Sequence, residues 1–580
     1  MKTLLVALNS KYTHTSLALR CLRSVCPQNT EILECTVNQP KEEILRQILE
    51  HPAEIYAFSV YIFNVSLVEQ ILSDLRQIRP HALILCGGPE VSYDCEEFLR
   101  KNPCVDGILR GEGEETFRAL ISALEGEGAV RDAFFSLSFP GLSFLREGVY
   151  WQNPDRPPIC DLDTLPFPYE EGELEGLASR ILYYESSRGC PYTCIYCLSS
   201  VQGRVRFRSV ERVFADLRRF LDAKVRLVKF VDRTFNCGHE RTLAVWNYLK
   251  EHDNGVTSFH FEIAAWLLSA EELELLQSVR PGLILLEVGI QSVNPKTLET
   301  ITRKTDPQKL YENVALLSAG PCHVHTDLIA GLPYEDFDSF ADSFNRVFAL
   351  KSHCLQLGFL KRLKGTALWQ REDGAVYSAA PPYEILKNRW LSWEDLSALK
   401  GVEKVLERYW NSGLCRRLLP WVCDTYPSGI FAFFLGLSQM LERRGEFYLA
   451  HTPPRAFALM SDWLKETLEG EALSVAQTLL CYDLFTFDRC HTVTEWQTVR
   501  PDRDRLLQVL KSGEAEAYLT EEQREIYRSM NSVQWLRNAD LATFPYGEDG
   551  SSGEETRLFL YGKLRISVKL QEKTEENGNA

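Results

Sequence analysis

The sequence predicts an α/β chain in three parts: an N-terminal doubly wound parallel sheet, a partial (β/α)6 barrel and a mostly helical C-terminal domain. Short apolar runs alternate with segments of helical spacing from Thr3 to residue 359, which is typical of βα repetition. Prolines interrupt that rhythm between Pro154 and Pro168. Beyond Pro381 the apolar spacing is helical only. We therefore predict domains at 1–135, 181–395 and 396–580, with a connector at 136–180.

The first domain alternates apolar runs with helical segments. The runs fall at 3–8, 32–37, 55–60, 82–86 and 107–109, and the helical segments at 17–25, 41–50, 66–79, 95–101 and 114–124. Elements that alternate at this period predict a doubly wound, Rossmann-like parallel sheet. In such sheets a ligand lies beyond the carboxyl ends of the strands, and the loops there are polar or glycine-rich in this chain.

The connector carries the proline-rich stretch Asp161-Leu-Asp-Thr-Leu-Pro-Phe-Pro-Tyr169. Proline-rich segments are extended and fairly stiff. We therefore expect the connector to hold its two neighbouring domains at a fixed spacing.

The second βα region contains six apolar runs, at 181–185, 226–231, 258–263, 283–290, 323–329 and 353–359. Helical segments fall at 210–221, 240–251, 270–279, 308–317 and 336–350. Six units fit an open, partial TIM barrel better than a closed barrel of eight units. Chemistry is then expected on loops at the carboxyl ends of the strands.

Three cysteines follow the first of these runs, in Arg-Gly-Cys-Pro-Tyr-Thr-Cys-Ile-Tyr-Cys with C-x3-C-x2-C spacing. They supply three thiolates where an iron–sulfur cube takes four ligands, so one iron would keep an open position. A zinc site usually pairs one C-x2-C unit with a second downstream, and no second unit appears. The spacing therefore favours a cluster over zinc or over three unrelated thiols.

This segment resembles the cluster-binding loop of radical S-adenosylmethionine (SAM) enzymes. The resemblance implies that Cys190, Cys194 and Cys197 hold a [4Fe-4S] cluster, and that SAM chelates the free iron through its amine and carboxylate. It also implies reductive cleavage of SAM to methionine and a 5′-deoxyadenosyl radical, which takes a hydrogen from the substrate.

Polar residues near the ends of the predicted barrel strands resemble the SAM-binding set of the same superfamily. The segments are Asp232-Arg-Thr-Phe-Asn236, Glu287-Val-Gly-Ile-Gln-Ser292 and Asp327-Leu-Ile-Ala-Gly-Leu-Pro333. The Arg303 guanidinium suits bidentate pairing with the SAM carboxylate. The resemblance points to Tyr196, Asp232, Asn236, Glu262, Glu287, Gln291 and Arg303 as SAM-binding residues. A supporting role for any one of them stays open.

The loops of the first domain resemble the cobalamin-binding domain that precedes many radical SAM modules. Gly-Gly-Pro-Glu at 87–90 and Arg-Gly-Glu-Gly-Glu at 110–114 carry the likeness. The implied cobalamin-binding residues are Asn9, Ser59, Gly87, Gly88, Pro89, Gly111, Glu112, Gly113 and Glu114. A flavodoxin-like domain without a ligand is the alternative. The Asp-x-His-x-x-Gly string that places a histidine under cobalt is absent, so we expect no histidine there.

The segment Leu399-Lys-Gly-Val-Glu-Lys-Val-Leu-Glu-Arg-Tyr-Trp-Asn-Ser412 has apolar residues at helical spacing. It resembles an uncharacterised domain that recurs behind cobalamin-type radical SAM modules. The combined resemblance therefore extends over nearly the whole chain, but it assigns no role to this last domain.

These resemblances together imply a cobalamin-dependent radical SAM enzyme, foremost a methyltransferase acting on an unactivated carbon of an unidentified small molecule. Rearrangement or ring formation with the same cofactors is one alternative. An RNA methylthiotransferase-like enzyme usually has further upstream cluster cysteines and a basic tail, which are not evident here. A non-catalytic electron-transfer protein would have four thiolates. No general base is evident, so catalytic residues stay unknown.

Composition bounds the partners and the compartment. A net charge of −16 argues against nucleic acid, which needs a basic field. No apolar run approaches the ~20 residues that span a bilayer, so we expect no membrane. Seventeen scattered cysteines favour a reducing cytoplasm. A cluster that must be reduced implies a donor such as flavodoxin or ferredoxin. The polar stretch 572–580 is expected to fray.

Overall fold

A computed structural model describes residues 1–489, 493–562 and 564–570. The stretch 572–580 lies outside the described residues. The chain divides into two compact units, one formed by Met1–Asp336 with Leu357–Trp393 and the other by Phe337–Gln356 with the chain from Glu394 onward. The domain boundaries at residues 135, 180 and 395 stay predictions.

The first sheet has seven strands in the order β2-β1-β3-β4-β5-β6-β7. Its strands are β1 (Thr3–Asn9), β2 (Thr30–Thr36), β3 (Ile55–Ser59), β4 (Leu83–Gly87), β5 (Gly107–Leu109), β6 (Leu142–Arg146) and β7 (Val149–Gln152). Its helices are α1 (Leu17–Val25), α2 (Lys41–Glu50), α3 (Val65–Ile78), α4 (Pro89–Ser92), α5 (Cys95–Lys101), α6 (Gly113–Leu124) and α7 (Val130–Phe134). Strands β1 to β5 are parallel, which confirms the doubly wound sheet. Strands β6 and β7 add an antiparallel edge that we did not predict.

Both faces of the first sheet are covered, as the continuous apolar runs require. Every residue of β1 is buried. Leu4 and Val6 point into one core and Leu5 and Ala7 into the other, because successive side chains of a strand alternate between faces. A ligand can therefore approach only the edge of the sheet. The edge beyond β1 and β3 is where connections diverge to opposite sides.

The second sheet has six strands in the order β15-β14-β13-β12-β11-β8, which confirms the predicted open arrangement. The strands of this region are β8 (Ile181–Tyr184), β9 (Ser187–Arg188), β10 (Arg206–Phe207), β11 (Leu227–Phe230), β12 (Ser258–Ile263), β13 (Ile284–Gln291), β14 (His323–Ala330), β15 (Cys354–Phe359), β16 (Val376–Tyr377) and β17 (Ile385–Lys387). Its helices are α8 (Glu173–Gly176), α9 (Val210–Asp222), α10 (His239–Glu251), α11 (Ala270–Gln277), α12 (Pro295–Thr300) and α13 (Pro307–Ser318). Pairing from β8 to β14 is parallel, and β9 and β10 form a separate short antiparallel ladder.

The two faces of the second sheet differ in chemistry. On β14, Val324 and Leu328 are buried on one face, whereas His323, His325 and Asp327 lie on the other. A closed barrel fills its interior with branched apolar side chains. This open sheet presents titratable groups on that face instead, and a cavity forms against it.

The second unit is mostly helical, as predicted. Its helices are α14 (Phe337–Phe348), α15 (Trp393–Leu406), α16 (Leu418–Thr425), α17 (Gly429–Arg443), α18 (Pro453–Thr467), α19 (Gly470–Phe487), α20 (Arg503–Ser512), α21 (Glu521–Arg528) and α22 (Ser532–Arg537). It ends in an antiparallel sheet that we did not predict, formed by β18 (Ala539–Tyr546), β19 (Ser552–Leu560) and β20 (Ile566–Lys569). The rings of Tyr482 and Phe544 stack 3.6 Å apart and join α19 to this sheet.

Among the described residues, no single helix has both the length and the apolar composition to cross a membrane. Helices α16 and α17 pass that test only when they are taken together, and they meet at a bend of 118°. Their apolar residues, such as Leu419, Phe433 and Leu437, are buried inside the protein, which is typical of core helices.

Candidate functional site

The three cysteines of the C-x3-C-x2-C motif lie on one loop and line one cavity. The loop leaves β9 and returns at β10. At its start Gly189 has a φ of +101°, and a Cβ there would lie 2.8 Å from the carbonyl oxygen of Arg204. Only glycine fits that position. The amide of Cys197 donates to the carbonyl of Cys194 at 3.1 Å, so the loop turns back and its thiols converge.

The donor set fits a cluster better than a single metal ion. Each cysteine that the structure describes is a free thiol. Among the described residues, no three His, Cys, Asp or Glu side chains lie close enough together to hold one ion. A four-iron cube spreads its thiolate ligands over separate corners, so three thiols around a cavity suit it. Burial raises the pKa of Cys194, and the Arg303 guanidinium, 3.8 Å from its sulfur, opposes that rise.

Five of the seven predicted SAM residues line the same cavity as the cysteines. They are Tyr196, Glu262, Glu287, Gln291 and Arg303. Gly289 makes room for two of them, since a Cβ there would lie 2.3 Å from the Gln291 amide nitrogen and 3.1 Å from Arg303. Gln291 itself has a φ of +73°, at a bulge in the pairing of β13 with β14. Such backbone strain is typical of functional sites.

The other two predicted SAM residues, Asp232 and Asn236, turn away from the cavity. The Asp232 carboxylate accepts hydrogen bonds from the Ser186 amide at 2.9 Å and from the Ser186 and Ser187 hydroxyls, both at 2.6 Å. The Asn236 side chain makes two 2.9 Å bonds to the backbone of Ala264, which lines the cavity. Both side chains are buried and their hydrogen bonds brace the walls, so direct contact with SAM stays a prediction that the geometry does not favour.

Two carboxyl groups on the cavity floor have pKa values that are shifted in opposite directions. Glu287 contacts the Lys229 ammonium at 2.8 Å and His260 at 3.3 Å. Against the opposing effect of burial, these two partners lower the pKa of Glu287 to about 2. Burial, and then Glu287 and Glu262, raise the pKa of Asp327 well above its usual value. Like charges in a shared site disfavour the ionised form, which accounts for the contribution of Glu287 and Glu262 to the shift at Asp327.

Asp327 lines the cavity, and one of its carboxyl oxygens is left unpaired by the residues that the structure describes. Its Oδ1 is buried and has no hydrogen-bond partner among the described residues. Buried polar atoms in proteins are rarely left unpaired. The unpaired oxygen therefore fits a cavity built to receive a polar ligand.

Further residues of the site escaped the sequence analysis. Arg233, Thr234 and Trp266 line the cavity, and Lys229 and His260 lie behind Glu287. The signal that finds Lys229 and His260 is alternation with period two, because these residues occupy inward positions in otherwise apolar strands.

Loops at the carboxyl edge of the first sheet bring together most of the predicted cobalamin residues. Asn9, Ser59 and Gly87 end β1, β3 and β4. Gly88 has a φ of +110°, and a Cβ there would lie 2.5 Å from the carbonyl oxygen of Val60. Gly88 and Pro89, which begins α4, therefore keep two loops in close contact. Exposed rings surround this edge at Tyr12, Phe63 and Tyr93. Crowded backbone beside exposed aromatic rings fits a flat, largely apolar ligand such as a corrin.

The remaining predicted cobalamin residues lie after β5. A Cβ at Gly111 would meet no atom within 4 Å, whereas one at Gly113 would approach Leu22 at 3.1 Å. Glu112 and Glu114 pair with arginines beside the cysteine loop. Against burial, Arg206 and the Ile159 amide lower the pKa of Glu112. These two carboxylates have protein partners, so their role as cobalamin contacts stays a prediction.

Three family models match successive parts of the chain. The B12 binding domain matches residues 3–121 and the Radical SAM superfamily residues 184–347. The family described as a protein of unknown function, DUF4080, matches residues 371–557.

The chain is similar to two curated methyltransferases. It is 26% identical over 309 residues to the uncharacterized methyltransferase PH0819 of Pyrococcus horikoshii, which covers 51% of this chain and 64% of that protein. It is 26% identical over 347 residues to the cobalamin-dependent radical SAM methyltransferase TokK of Streptomyces tokunonensis, covering 54% of this chain and 47% of that protein. The matched segments therefore span less than two thirds of either relative.

A solved structure shares the fold. The cobalamin-dependent S-adenosylmethionine radical enzyme OxsB, with aqua-cobalamin and S-adenosylmethionine bound, superposes with a TM-score of 0.54 at 13% identity, over 92% of this chain and 82% of that one. At this identity the likeness concerns the fold alone. The family matches show that the chain contains, in order, segments that match the B12 binding domain, the Radical SAM superfamily and DUF4080.

Proposed function

We propose that the protein is a cobalamin-dependent radical SAM enzyme that methylates an unactivated carbon of a small molecule. The observation that carries the proposal is the cavity in which three loop thiols face a charged set on strands β12, β13 and β14. The B12-binding domain in the same compact unit and the methyltransferase relatives support it.

The residues fit the three cofactors. Cys190, Cys194 and Cys197 would hold the cluster, and Arg303 would pair with the SAM carboxylate. The ionised Glu287 supplies negative charge for the cationic SAM, and the unpaired Asp327 oxygen can bond a ligand hydroxyl or amine. The chemistry that the bound cofactors would supply is reductive SAM cleavage, hydrogen abstraction and methyl transfer. The chain would orient these groups around the cavity.

The substrate and the electron donor belong to the same proposal. We propose a small-molecule substrate, because the net charge of −16 disfavours a nucleic acid and the similar curated proteins include a cobalamin-dependent radical SAM methyltransferase. A donor such as flavodoxin or ferredoxin and a reducing cytoplasm suit a cluster that must be reduced. Free thiols at all described cysteines are consistent with that compartment.

Anaerobic reconstitution tests the proposal. With iron, sulfide, SAM, cobalamin and dithionite, we expect cluster absorbance, release of methionine and 5′-deoxyadenosine, and retention of cobalamin through gel filtration. SAM cleavage without cobalamin retention would favour the methylthiotransferase-like alternative. Cluster absorbance without SAM cleavage would favour an electron carrier. A protein that forms no cluster would contradict the proposal altogether.

A further inference from the structure

A group of buried charges surrounds the base of the cysteine loop. We call it the charge lock, formed by Glu112, Glu114, Glu185, Arg188 and Arg206. The Arg188 guanidinium lies 3.2 Å from Glu112 and 2.8 Å from Glu185, and it also pairs with Glu114. Arg206 lies 2.5 Å from Glu112. The exposed fractions of the five side chains run from 6% to 19%, so solvent screens these charges weakly.

The two arginines flank the loop that carries the three cysteines. Arg188 lies on β9, two residues before Cys190, and Arg206 lies on β10, nine residues after Cys197. The two strands are antiparallel, and Arg206 stands directly opposite Arg188. This two-residue ladder joins the two ends of the cysteine loop, and we call it the neck of the loop.

Two like charges directly opposite each other in a ladder repel. Glu112 lies between them. One of its carboxylate oxygens, Oε2, lies 3.2 Å from Arg188 Nη1 and accepts a hydrogen bond from Arg206 Nη1 at 3.1 Å. The same oxygen accepts the Ile159 amide at 2.9 Å. A single carboxylate thus offsets the repulsion across the neck and ties it to the connector.

Glu112 comes from the first sheet, in the loop between β5 and α6. Glu114, one helical position into α6, pairs with Arg188 from the same side. The acidic loop that the sequence suggests as a cobalamin contact therefore has its carboxylates directed at the cluster loop.

We propose that Glu112 is a positioning residue that holds the neck of the cysteine loop closed and so retains the cluster. The inference rests on the proposed cluster but adds a role for the acidic loop that differs from cobalamin binding. Loss of the carboxylate charge removes the group shared by both arginines: Arg206 loses its Glu112 partner, while Arg188 keeps only Glu114 and Glu185, which lie on its own side. The repulsion between the two arginines is then no longer offset at the neck, and the neck opens.

The first test is the Glu112→Gln variant, reconstituted anaerobically beside the wild type. Iron release to a ferrous chelator is followed at the absorbance of the chelate, and cobalamin retention is measured on the same preparations. We expect iron to leave the variant about tenfold faster, the range seen when residues behind metal ligands are changed. Cobalamin retention should not change.

A double variant separates positioning from general damage. Arg206→Met in the Glu112→Gln background removes the repelling partner as well, and replacing both partners of a buried pair is far milder than removing one. We expect iron release to slow again toward the wild-type rate. If Glu112→Gln does not fold, the Arg206→Met single variant and the double variant still compare the neck with and without the carboxylate.

Asp106→Asn provides the matched control. Asp106 is a buried carboxylate paired with Arg76 at 2.5 Å and Arg131 at 2.9 Å, at the opposite end of the same parallel sheet. We expect a lower Tm with iron release unchanged.

Two outcomes would overturn the inference: equal iron release from wild type and Glu112→Gln, or lost cobalamin with the cluster retained, which would restore the cobalamin-contact interpretation. A wild type that binds no cluster would instead contradict the proposed function.

Discussion

The two sheets built from βα repeats differ in strand order and have opposite interiors. In the first sheet, the side chains of β1 alternate between two apolar cores, and each position is buried. In the second sheet, β14 buries Val324 and Leu328 on one face and presents His323, His325 and Asp327 on the other. The first arrangement leaves only an edge for a ligand, whereas the second creates a cavity beside a strand.

The difference shows how βα repetition serves two kinds of site. A sheet covered on both faces has little room for titratable groups, so its ligand must contact loops. An open barrel leaves the concave side of its strands only partly filled, and titratable groups there interact with one another. Opposite kinds of replacement should therefore have opposite effects on stability in the two sheets. An apolar side chain in place of a titratable one should stabilise the second sheet, whereas a polar side chain in place of an apolar one should destabilise the first.

The largest effect is expected for Cys194→Ala. It removes a thiolate from the cavity wall, and we expect no cluster absorbance and no SAM cleavage after anaerobic reconstitution. Cys86→Ala is the matched change in the first sheet, where Cys86 is buried in the core of β4. It should leave the cluster intact and lower the free energy of unfolding by about 1 kcal/mol. An intact cluster in Cys194→Ala would contradict the assignment.

The next effect concerns the charge of Glu287. Lys229→Met removes the cation 2.8 Å from that carboxylate, so burial should raise its pKa. We expect SAM binding, measured by anaerobic equilibrium dialysis, to weaken about tenfold, equivalent to about 1.4 kcal/mol. Binding to the variant should strengthen as pH rises and Glu287 ionises, whereas wild-type binding should not depend on this group above pH 4.

The control for that change is Lys41→Met in the first domain. Lys41 pairs with Asp74 at 2.7 Å near the surface, away from the cavity-lining residues. SAM affinity should be unchanged in it. Equal affinities for wild type and Lys229→Met would show that the charge on the cavity floor does not act on SAM.

The sequence was sufficient for both βα regions because their strands are continuous apolar runs. It was not sufficient for the hairpin of β6 and β7, because β6 has only three consecutive buried residues and on β7 Val149 and Trp151 are more than half exposed. Their turn, Glu147-Gly148, has positive φ at both residues, 52° and 77°, as a two-residue hairpin turn requires, but Glu-Gly is not one of the residue pairs that mark such a turn in a sequence.

The part of the site that could be predicted from the sequence is the cysteine motif, because the spacing of its three cysteines by itself indicates a cluster. The three cysteines line one cavity because their loop is short and returns on itself. Within Asp232-Arg-Thr-Phe-Asn236, however, the polar residues look alike. Arg233 and Thr234 line the cavity while Asp232 and Asn236 bond to neighbouring segments. Which polar residue faces the ligand depends on strand ends that only the folded chain brings together.

A smaller effect distinguishes the loops at the edge of the first sheet. Gly88→Ala places a Cβ 2.5 Å from the Val60 carbonyl oxygen at a φ of +110°. We expect this change to lower the free energy of unfolding by about 2 kcal/mol and to reduce cobalamin retention. At Gly111 the φ is +72° and a Cβ would meet no other atom within 4 Å. We expect Gly111→Ala to lower the free energy of unfolding by about 1 kcal/mol and to leave cobalamin retention unchanged. Retention is measured by gel filtration. The reverse pattern would move the corrin contact to the loop after β5.

The smallest expected effect is a change in protein stability, and it compares one replacement in each of the two sheets. His325→Leu replaces a histidine whose Nδ1 is buried and has no hydrogen-bond partner among the described residues. We expect the free energy of unfolding in urea to rise by about 1 kcal/mol. The reference change is Val6→Thr in β1, which buries a hydroxyl and should cost about 2 kcal/mol.

The way in which the stability of His325→Leu depends on pH would show why this variant is more stable than the wild type. Burial, followed by His323 and His260, lowers the pKa of His325 to about 4. The unfolded chain therefore takes up a proton at this residue near pH 6.5, before the folded chain does. Wild-type stability should fall as pH drops from about 6.5 to about 4, because the unfolded state binds more protons there. The leucine variant should lose part of that slope and should gain most over wild type at the acidic end. A gain that is constant with pH would mean that packing, rather than the buried imidazole, sets the difference between the two sheets.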